Sequence, residues 1–274
     1  MKNLEQLVAN DKLFTSGFFD QNLIDDKLIE VNQFLLKNLN NKSPYQNFKA
    51  YLNHWSRTIE YQYICLNIAK FIIDKKKKHQ DKIFQILDNA SGDPQRSFFL
   101  ADYGMNIQGT DLVDHSKEWE EFDAYASGSL SFKVADSMNL PFQNETFDIS
   151  FCISAIEHMP DPVKAIDEMI RVTKKNGLIL FTMDVANCKF DTSDFYVNNK
   201  NFKTLQNLLN NKCSYFAPPN FTVPSNNINW EQNRFGTCPD KRNFLRKFVS
   251  KQYKNLFKKV NPNFYIFGGS WIKN

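Results

Sequence analysis

Four times between residues 83 and 154 a short apolar run ends in a polar corner, and this repetition narrows what the chain can fold into. Ile83, Phe84, Ile86 and Leu87 lead into Asp88 and then into the small residues Ala90, Ser91 and Gly92. A strand buried on both faces reads as a continuous apolar run, and small residues let the backbone bend close against a ligand. Asp93-Pro94 reads as a helix N-cap with proline at the first helical position, and Gly104 as the stop of that helix. Three more runs follow: Ile107 to Asp111, Ser131 to Val134 with Asp136 and Ser137 behind it, and Phe147 to Ile153 with Ser154 at its tip. Open parallel sheets bind ligands outside the carboxyl ends of their strands, so these tips are expected to line one crevice.

Taken singly, each tip has a plain structural reading. A strand, tight turn and helix occur in many α/β proteins, and Asp111 could simply cap the next helix. Asp111 also stands about where a dinucleotide-type fold places the carboxylate that accepts hydrogen bonds from ribose hydroxyls. The recurrence of polar tips in chain order favours the ligand reading.

The residues of this stretch resemble the class I S-adenosylmethionine-dependent methyltransferases, in particular the small-molecule branch. The resemblance is carried by Ile86-Leu87-Asp88-Asn89-Ala90-Ser91-Gly92, Gly109-Thr110-Asp111-Leu112 and Ala135-Asp136-Ser137-Met138-Asn139-Leu140-Pro141-Phe142. It continues through Phe147-Asp148, Ile156-Glu157-His158-Met159 and Arg171-Val172-Thr173-Lys174-Lys175-Asn176-Gly177, and covers about residues 83–185. It implies a Rossmann-like, seven-stranded α/β sheet, mostly parallel with an antiparallel carboxy-terminal edge, and S-adenosylmethionine as cofactor. Asp88 with Ala90, Ser91 and Gly92 would shape the methionine end of the cofactor, Asp111 and Leu112 the ribose, Asp136, Ser137 and Met138 the adenine, and Ser154 the floor near the sulfonium. Two positions depart from the family pattern: Ala90 and Asp93 stand where it usually has glycine. Asn176-Gly177 replaces the usual double glycine, a change that asparagine's tolerance of positive φ permits.

Ser56 to Tyr63 resembles the Arg-x-x-Glu-Tyr helix that precedes the first strand in some methyltransferases of bacterial surface-sugar pathways. Arg57 and Tyr61 share a helical face and could hold the cofactor's carboxylate. An Arg57–Glu60 surface ion pair is the alternative.

The chain is expected to divide into a helical cap over 1–80 and a Rossmann-like domain over 81–274, with residues 186–240 as a substrate-lid insertion. The cap rests on helical spacing of Leu23, Ile24, Leu28, Val31, Phe34 and Leu35, and of Ile59, Tyr63, Ile64, Ile68, Phe71 and Ile72, with Ser43-Pro44 starting one helix. The insertion breaks regular patterning and is rich in aromatics, among them Tyr196, Phe216 and Trp230, which are candidate substrate contacts. A satellite hydrophobic cluster explains the same composition. Near the end, Gly268-Gly269 reads as the turn of a short hairpin between Phe264–Phe267 and Ser270–Lys273.

Composition excludes some classes. With 274 residues and 42% hydrophobic content the chain can bury a sizeable core. No window has the unbroken apolar length of a membrane span, and the polar start does not resemble a secretory signal, so a soluble cytoplasmic protein is expected. Cys65, Cys152, Cys188, Cys213 and Cys238 form no close pair, which argues against a disulfide framework or a zinc site, and no metal cluster is evident. The net charge of +4 is mild, and Lys75-Lys76-Lys77-Lys78 reads as a solvated connector. Ser154-Ala155-Ile156-Glu157 replaces the Pro-Pro motif of base-amino methyltransferases, so a nucleic-acid substrate is disfavoured. The pattern leaves oligomeric state open.

The expected activity is methyl transfer to a small-molecule acceptor, such as a sugar, nucleotide-sugar or glycan precursor. His158 is the candidate general base, because it follows the fourth strand at the crevice mouth and its pKa lies near neutrality. Glu157 is a weaker candidate, and the alternative is that both merely cap the helix starting at Asp161-Pro162. A catalytically silent binding protein with the same fold is the competing function. Modification of a protein or RNA is the third.

Overall fold

The computed structural model describes residues 57–77, 82–186, 199–216, 221–224 and 264–274. Most of the expected cap, Tyr196, Trp230, Cys188 and Cys238 lie outside the described residues. The described elements are α1 (Arg57–Lys76), β1 (Gln85–Asn89), α2 (Gln95–Ala101), β2 (Asn106–Asp111), α3 (Ser116–Asp123), β3 (Ser129–Val134) and β4 (Phe147–Ile153). A 3-10 turn (Ile156–His158), α4 (Pro162–Val172), β5 (Thr173–Ala186), α5 (Asn199–Lys212), β6 (Cys213–Tyr215), β7 (Phe221–Pro224) and β8 (Phe264–Lys273) complete them.

The strands form one sheet in the order β3-β2-β1-β4-β5-β8-β6. β1 to β5 pair in parallel, and β8 runs antiparallel to β5. β7 and β6 share the outer edge of β8, pairing with its first and last parts respectively, so the sheet is seven strands wide. This is the Rossmann-like sheet with an antiparallel edge that the sequence suggests.

Two apolar layers hold it. On one face α1 buries Ile64, Ile68, Phe71 and Ile72 with Phe98 and Leu100 of α2 and Trp119 of α3. On the other, Ala165, Ile166, Met169 and Ile170 of α4 meet Phe181, Met183, Leu205 and Leu209. α4 starts as its sequence dictates: Asp161 caps it by accepting from the Lys164 amide at 2.9 Å, and Pro162 occupies the first turn, where a missing N–H costs nothing.

Several local expectations change. Ile83 is 61% exposed and β1 begins only at Gln85. Pro94, in the αR region, takes the N-cap position of α2 in place of Asp93, and its carbonyl accepts the first helical bond from Phe98 at 2.8 Å. α2 ends at Ala101, and Gly104, at φ 84, closes the following turn.

Gly268-Gly269 is not a turn. Both glycines lie inside β8, paired with Thr182 and Phe181 of the 14-residue β5. A long neighbour offers a continuous ladder of hydrogen bonds, and the stacking of Trp271 on Phe181, with ring centroids 4.8 Å apart, favours the extended strand over a folded hairpin. Within 186–240, residues 199–215 are regular structure: α5 buries Leu205 and Leu209, and β6 extends the sheet.

Asn176 does take positive φ, at 57°, where β5 is irregularly registered against β4. A Cβ on the adjoining Gly177 would come within 2.8 Å of the Asp148 carbonyl oxygen, so backbone meets backbone there.

Candidate active site

The carboxyl ends of β1, β2, β3 and β4 lie side by side, and the predicted polar tips fall on them. The turn after β1 is built by backbone geometry. Ala90 and Gly92 both stand in the left-handed region, at φ 55 and 59, which turns the chain sharply out of the sheet. The buried Ser91 ties the turn to β2, its amide donating to the Thr110 carbonyl at 2.8 Å.

Asp111 ends β2 and faces the same turn. Its Oδ2 accepts from the Gly92 amide at 3.0 Å and its Oδ1 from the Val113 amide at 3.1 Å. Trp119 of α3 supports the turn from below, donating its indole N–H to the Gly92 carbonyl at 3.0 Å. That reach depends on Gly109, where a Cβ would come within 2.3 Å of the indole ring. A Cβ on Gly92, by contrast, would meet nothing nearer than Nη2 of Arg96 at 3.8 Å, so the space over the turn is open to a ligand.

Asp88 is buried at the end of β1 and accepts from the Ser97 hydroxyl at 2.7 Å. Burial pushes its carboxyl up to about 6, against the pull of the Arg96 guanidinium and the Ser97 bond, with Asp93 and Asp111 adding to the rise. Arg96, the second residue of α2, lies over the ring of Tyr61 with its guanidinium carbon 5.6 Å from the centroid. Its Nη1 is 3.5 Å from the Tyr61 hydroxyl. Arg57 begins α1, and its side chain lies outside the described residues.

At the β3 tip Asp136 accepts from the Met138 amide at 2.8 Å, Ser137 is buried, and the partly buried Met138 packs against the apolar layer on the α4 face. A clasp beneath this corner holds it in place. Arg171 bonds Glu168 and donates to the carbonyls of Leu140 and Phe142, while Glu168 accepts from the Leu140 amide. Leu112 is 72% exposed beside Asp111, an open apolar face at the rim.

At the β4 tip Ser154 has φ 45, and its hydroxyl donates to the buried Glu60 of α1. Glu60 is therefore a core residue of α1 and not a surface one. Beyond it, Ile156–His158 forms the 3-10 turn, with Glu157 buried and His158 exposed. Glu157 faces inward toward the Cys152 thiol, whose pKa burial raises, with Glu157 as the next cause. Neither residue caps α4, since Asp161 does.

Phe216 stands apart from the crevice. It packs edge-on against Phe71 at 5.7 Å, and Phe71 in turn meets Phe84 just before β1 begins. That placement makes it part of the core on the α1 face, toward the amino ends of the strands. Leu205, Leu209 and Cys213 likewise serve the core.

The sequence reading missed Arg96, Trp119 and Glu60. Glu60 left a signal: it falls in the same helical stripe as Ile64, Ile68 and Phe71, where a charged residue among core positions marks a special contact. Arg96 and Trp119 carried none, because only the packing of α2 and α3 aims them at the turn.

Residues 87–181 match the family described as "Methyltransferase domain". The chain is 29% identical over 133 residues to the ubiquinone biosynthesis O-methyltransferase of Colwellia psychrerythraea, covering 47% of this chain and 53% of that protein. It is 40% identical over 81 residues to the norajmaline N-methyltransferase of Rauvolfia serpentina, covering 28% of each. The chain thus spans about half or less of the length of these curated relatives. Among solved structures, geranyl diphosphate C-methyltransferase from Streptomyces coelicolor A3(2) superposes with a TM-score of 0.53 at 11% identity, covering 89% of this chain and 98% of that one. The [4+2]-cyclase SpnF superposes at 0.51 with 15% identity, covering 75% and 81%. These two likenesses show the fold alone. Among the described residues no helix is long and apolar enough to cross a membrane.

Proposed function

We propose that the protein, whose residues 87–181 match the family described as "Methyltransferase domain", transfers a methyl group from S-adenosylmethionine to a small-molecule acceptor. The observation that carries this reading is the turn after β1. Its two left-handed residues, the Gly92 amide on Asp111, and the open space over Gly92 make a cradle that a Cβ at position 92 would begin to fill.

The residues present fit the cofactor in kind. Asp111, at the end of β2, suits a ribose diol, which needs hydrogen-bond acceptors. The backbone of Asp136 to Met138 and the side chain of Met138 suit an adenine edge and face. Arg96 is the described cation over the turn, and it suits the carboxylate of the amino-acid end. When bound, S-adenosylmethionine supplies an activated methyl group, so the protein's work is to hold, orient and exclude water. The Arg171–Glu168 clasp keeps the adenine corner rigid, and Trp119 does the same for the turn.

The relatives are named for ubiquinone biosynthesis and for norajmaline, which supports a small organic acceptor with a hydroxyl or amine nucleophile. A sugar hydroxyl is of the same chemical kind. A hydroxyl acceptor needs a proton acceptor nearby, and the exposed His158 at the crevice mouth is the candidate for that role.

Calorimetric titration with S-adenosylmethionine and S-adenosylhomocysteine tests the cofactor. Transfer of isotopically labelled methyl to a panel of phenols, catechols, amines and sugars tests the acceptor. Saturable binding with transfer to one acceptor class is expected, whereas absence of binding to either ligand would overturn the proposal.

A further inference from the structure

The amino ends of β1, β4 and β5, on the far side of the sheet from the crevice, gather lysines from separate parts of the chain. Lys75, in the last turn of α1, lies over the ring of Phe71, 5.1 Å from its centroid, and Phe71 meets Phe84 edge-on at 6.3 Å. Lys82 lies over Phe84 at 5.1 Å and reaches the Asp148 carboxylate at 2.7 Å, which Lys174 also meets at 3.2 Å. Next along the sheet Lys273, at the end of β8, donates to the Thr173 carbonyl at 2.7 Å and stands 3.7 Å from Glu145. β1, β4, β5 and β8 are neighbours, so this row crosses three strand spacings, about 14 Å.

Lys76 and Lys77 follow Lys75, and Lys175 follows Lys174. Lys76 and Lys175 make no ion pair among the described residues. The carboxylates in contact with the row are Asp74, paired with Lys77 at 2.9 Å, Asp148 and Glu145. Seven lysines therefore face three carboxylates, an excess equal to the chain's entire net charge of +4. The run that reads in sequence as a solvated connector is one end of a larger basic surface. Beside Lys82 that surface also carries Ile83, 61% exposed.

Like charges gathered so closely repel one another, a cost that an anionic partner turns into attraction. The cations of the row are all lysine, point charges without the planar fork that suits nucleic-acid recognition. An aliphatic side chain among them finds no partner on a phosphate backbone, whereas it can enter the interfacial layer of a bilayer. We propose that this surface docks on a bilayer carrying anionic headgroups, with Ile83 entering the interface. Docked in this way, the protein turns the carboxyl-end crevice toward water. The inference does not depend on the function proposed above.

The full chain is sedimented with vesicles of phosphatidylcholine alone and with vesicles of equal parts phosphatidylcholine and phosphatidylserine. Each lysine near an anionic surface strengthens binding about fivefold, so the anionic vesicles are expected to bind at least tenfold more tightly, and high salt to release the protein. Equal binding to both vesicles overturns the inference. The triple variant Lys76→Glu, Lys77→Glu, Lys175→Glu spares the lysines on Asp148 and is expected to lose at least tenfold in affinity for the anionic vesicles. Ile83→Ser is expected to lose about threefold or more on the same vesicles. Wild-type affinity in the folded triple variant overturns the inference; if that variant does not fold, the wild-type vesicle ranking and the Ile83→Ser loss decide. Tighter binding to duplex RNA than to anionic vesicles at the same salt would make nucleic acid the partner and overturn it as well.

Discussion

The Gly92 amide donates to Oδ2 of Asp111 at 3.0 Å, so the tip of β2 fastens the turn that follows β1. One carboxylate thereby has two tasks, bracing the cradle and presenting acceptors to whatever the cradle holds. Asp111→Ala is expected to lower stability by about 1–2 kcal/mol without ligand, from two lost backbone bonds, and to weaken S-adenosylmethionine binding at least tenfold. Urea unfolding measures the first and calorimetry the second. An unchanged unfolding midpoint would show that the turn stands without Asp111.

Arg96 is expected to matter only for ligands that carry an amino-acid end. Arg96→Ala should weaken S-adenosylmethionine about tenfold or more, the loss of a charge-assisted bond worth roughly 1.5–3 kcal/mol. Binding of 5′-methylthioadenosine, which lacks the carboxylate, should stay within about twofold. Equal losses for both would place Arg96 in support of the turn rather than in contact with the carboxylate.

Gly109→Ala forces a methyl group against the ring of Trp119, which is buried in the core. A cost of about 1–3 kcal/mol is expected, along with loss of the indole bond to Gly92. A red-shifted tryptophan emission together with a lower thermal midpoint would report both effects. A methyl accepted without either change would mean that the ring has room to move.

Burial raises Asp88 to about 6, above the roughly 3.9 of an unfolded aspartate. Between these values the folded chain holds a proton that the unfolded chain has released, so this group makes stability fall as pH rises from about 4 to 6. Asp88→Asn should flatten that slope and raise stability near neutral pH by roughly 1–3 kcal/mol. Unfolding free energies measured across that range check the prediction; an unaltered slope would contradict it.

Asp148 behaves oppositely. Burial alone would raise it, but Lys82, the Gln85 amide and Lys174 together hold it below the ordinary carboxylate range. Its contribution is complete above about pH 4 and disappears as pH falls through its lowered folded value. Asp148→Asn is expected to cost about 1–2 kcal/mol at pH 7, the half-exposed lysines limiting the effect, and to reduce the acid sensitivity of unfolding. A variant with the wild-type acid transition would rule this out.

Local physics alone determined much of this protein. Apolar runs with polar tips specified β1, β2, β3 and β4, Asp161-Pro162 specified the start of α4, and Asn176 marked its own positive φ, because each depends on neighbours a few residues away. Long-range pairing decided the rest. Gly268-Gly269 has the chemistry of a turn, but β5 offers it a ladder and Trp271 a stacking partner, so it became the middle of a strand. Glu157 and His158 are adjacent in sequence, yet the 3-10 turn points one into the core and the other to solvent. Arg96, Trp119 and Glu60 reach the crevice only because α2, α3 and α1 are laid against the sheet at particular positions. A sequence shows what a side chain can bond to, and only the packed fold sets which partner lies within 3 Å.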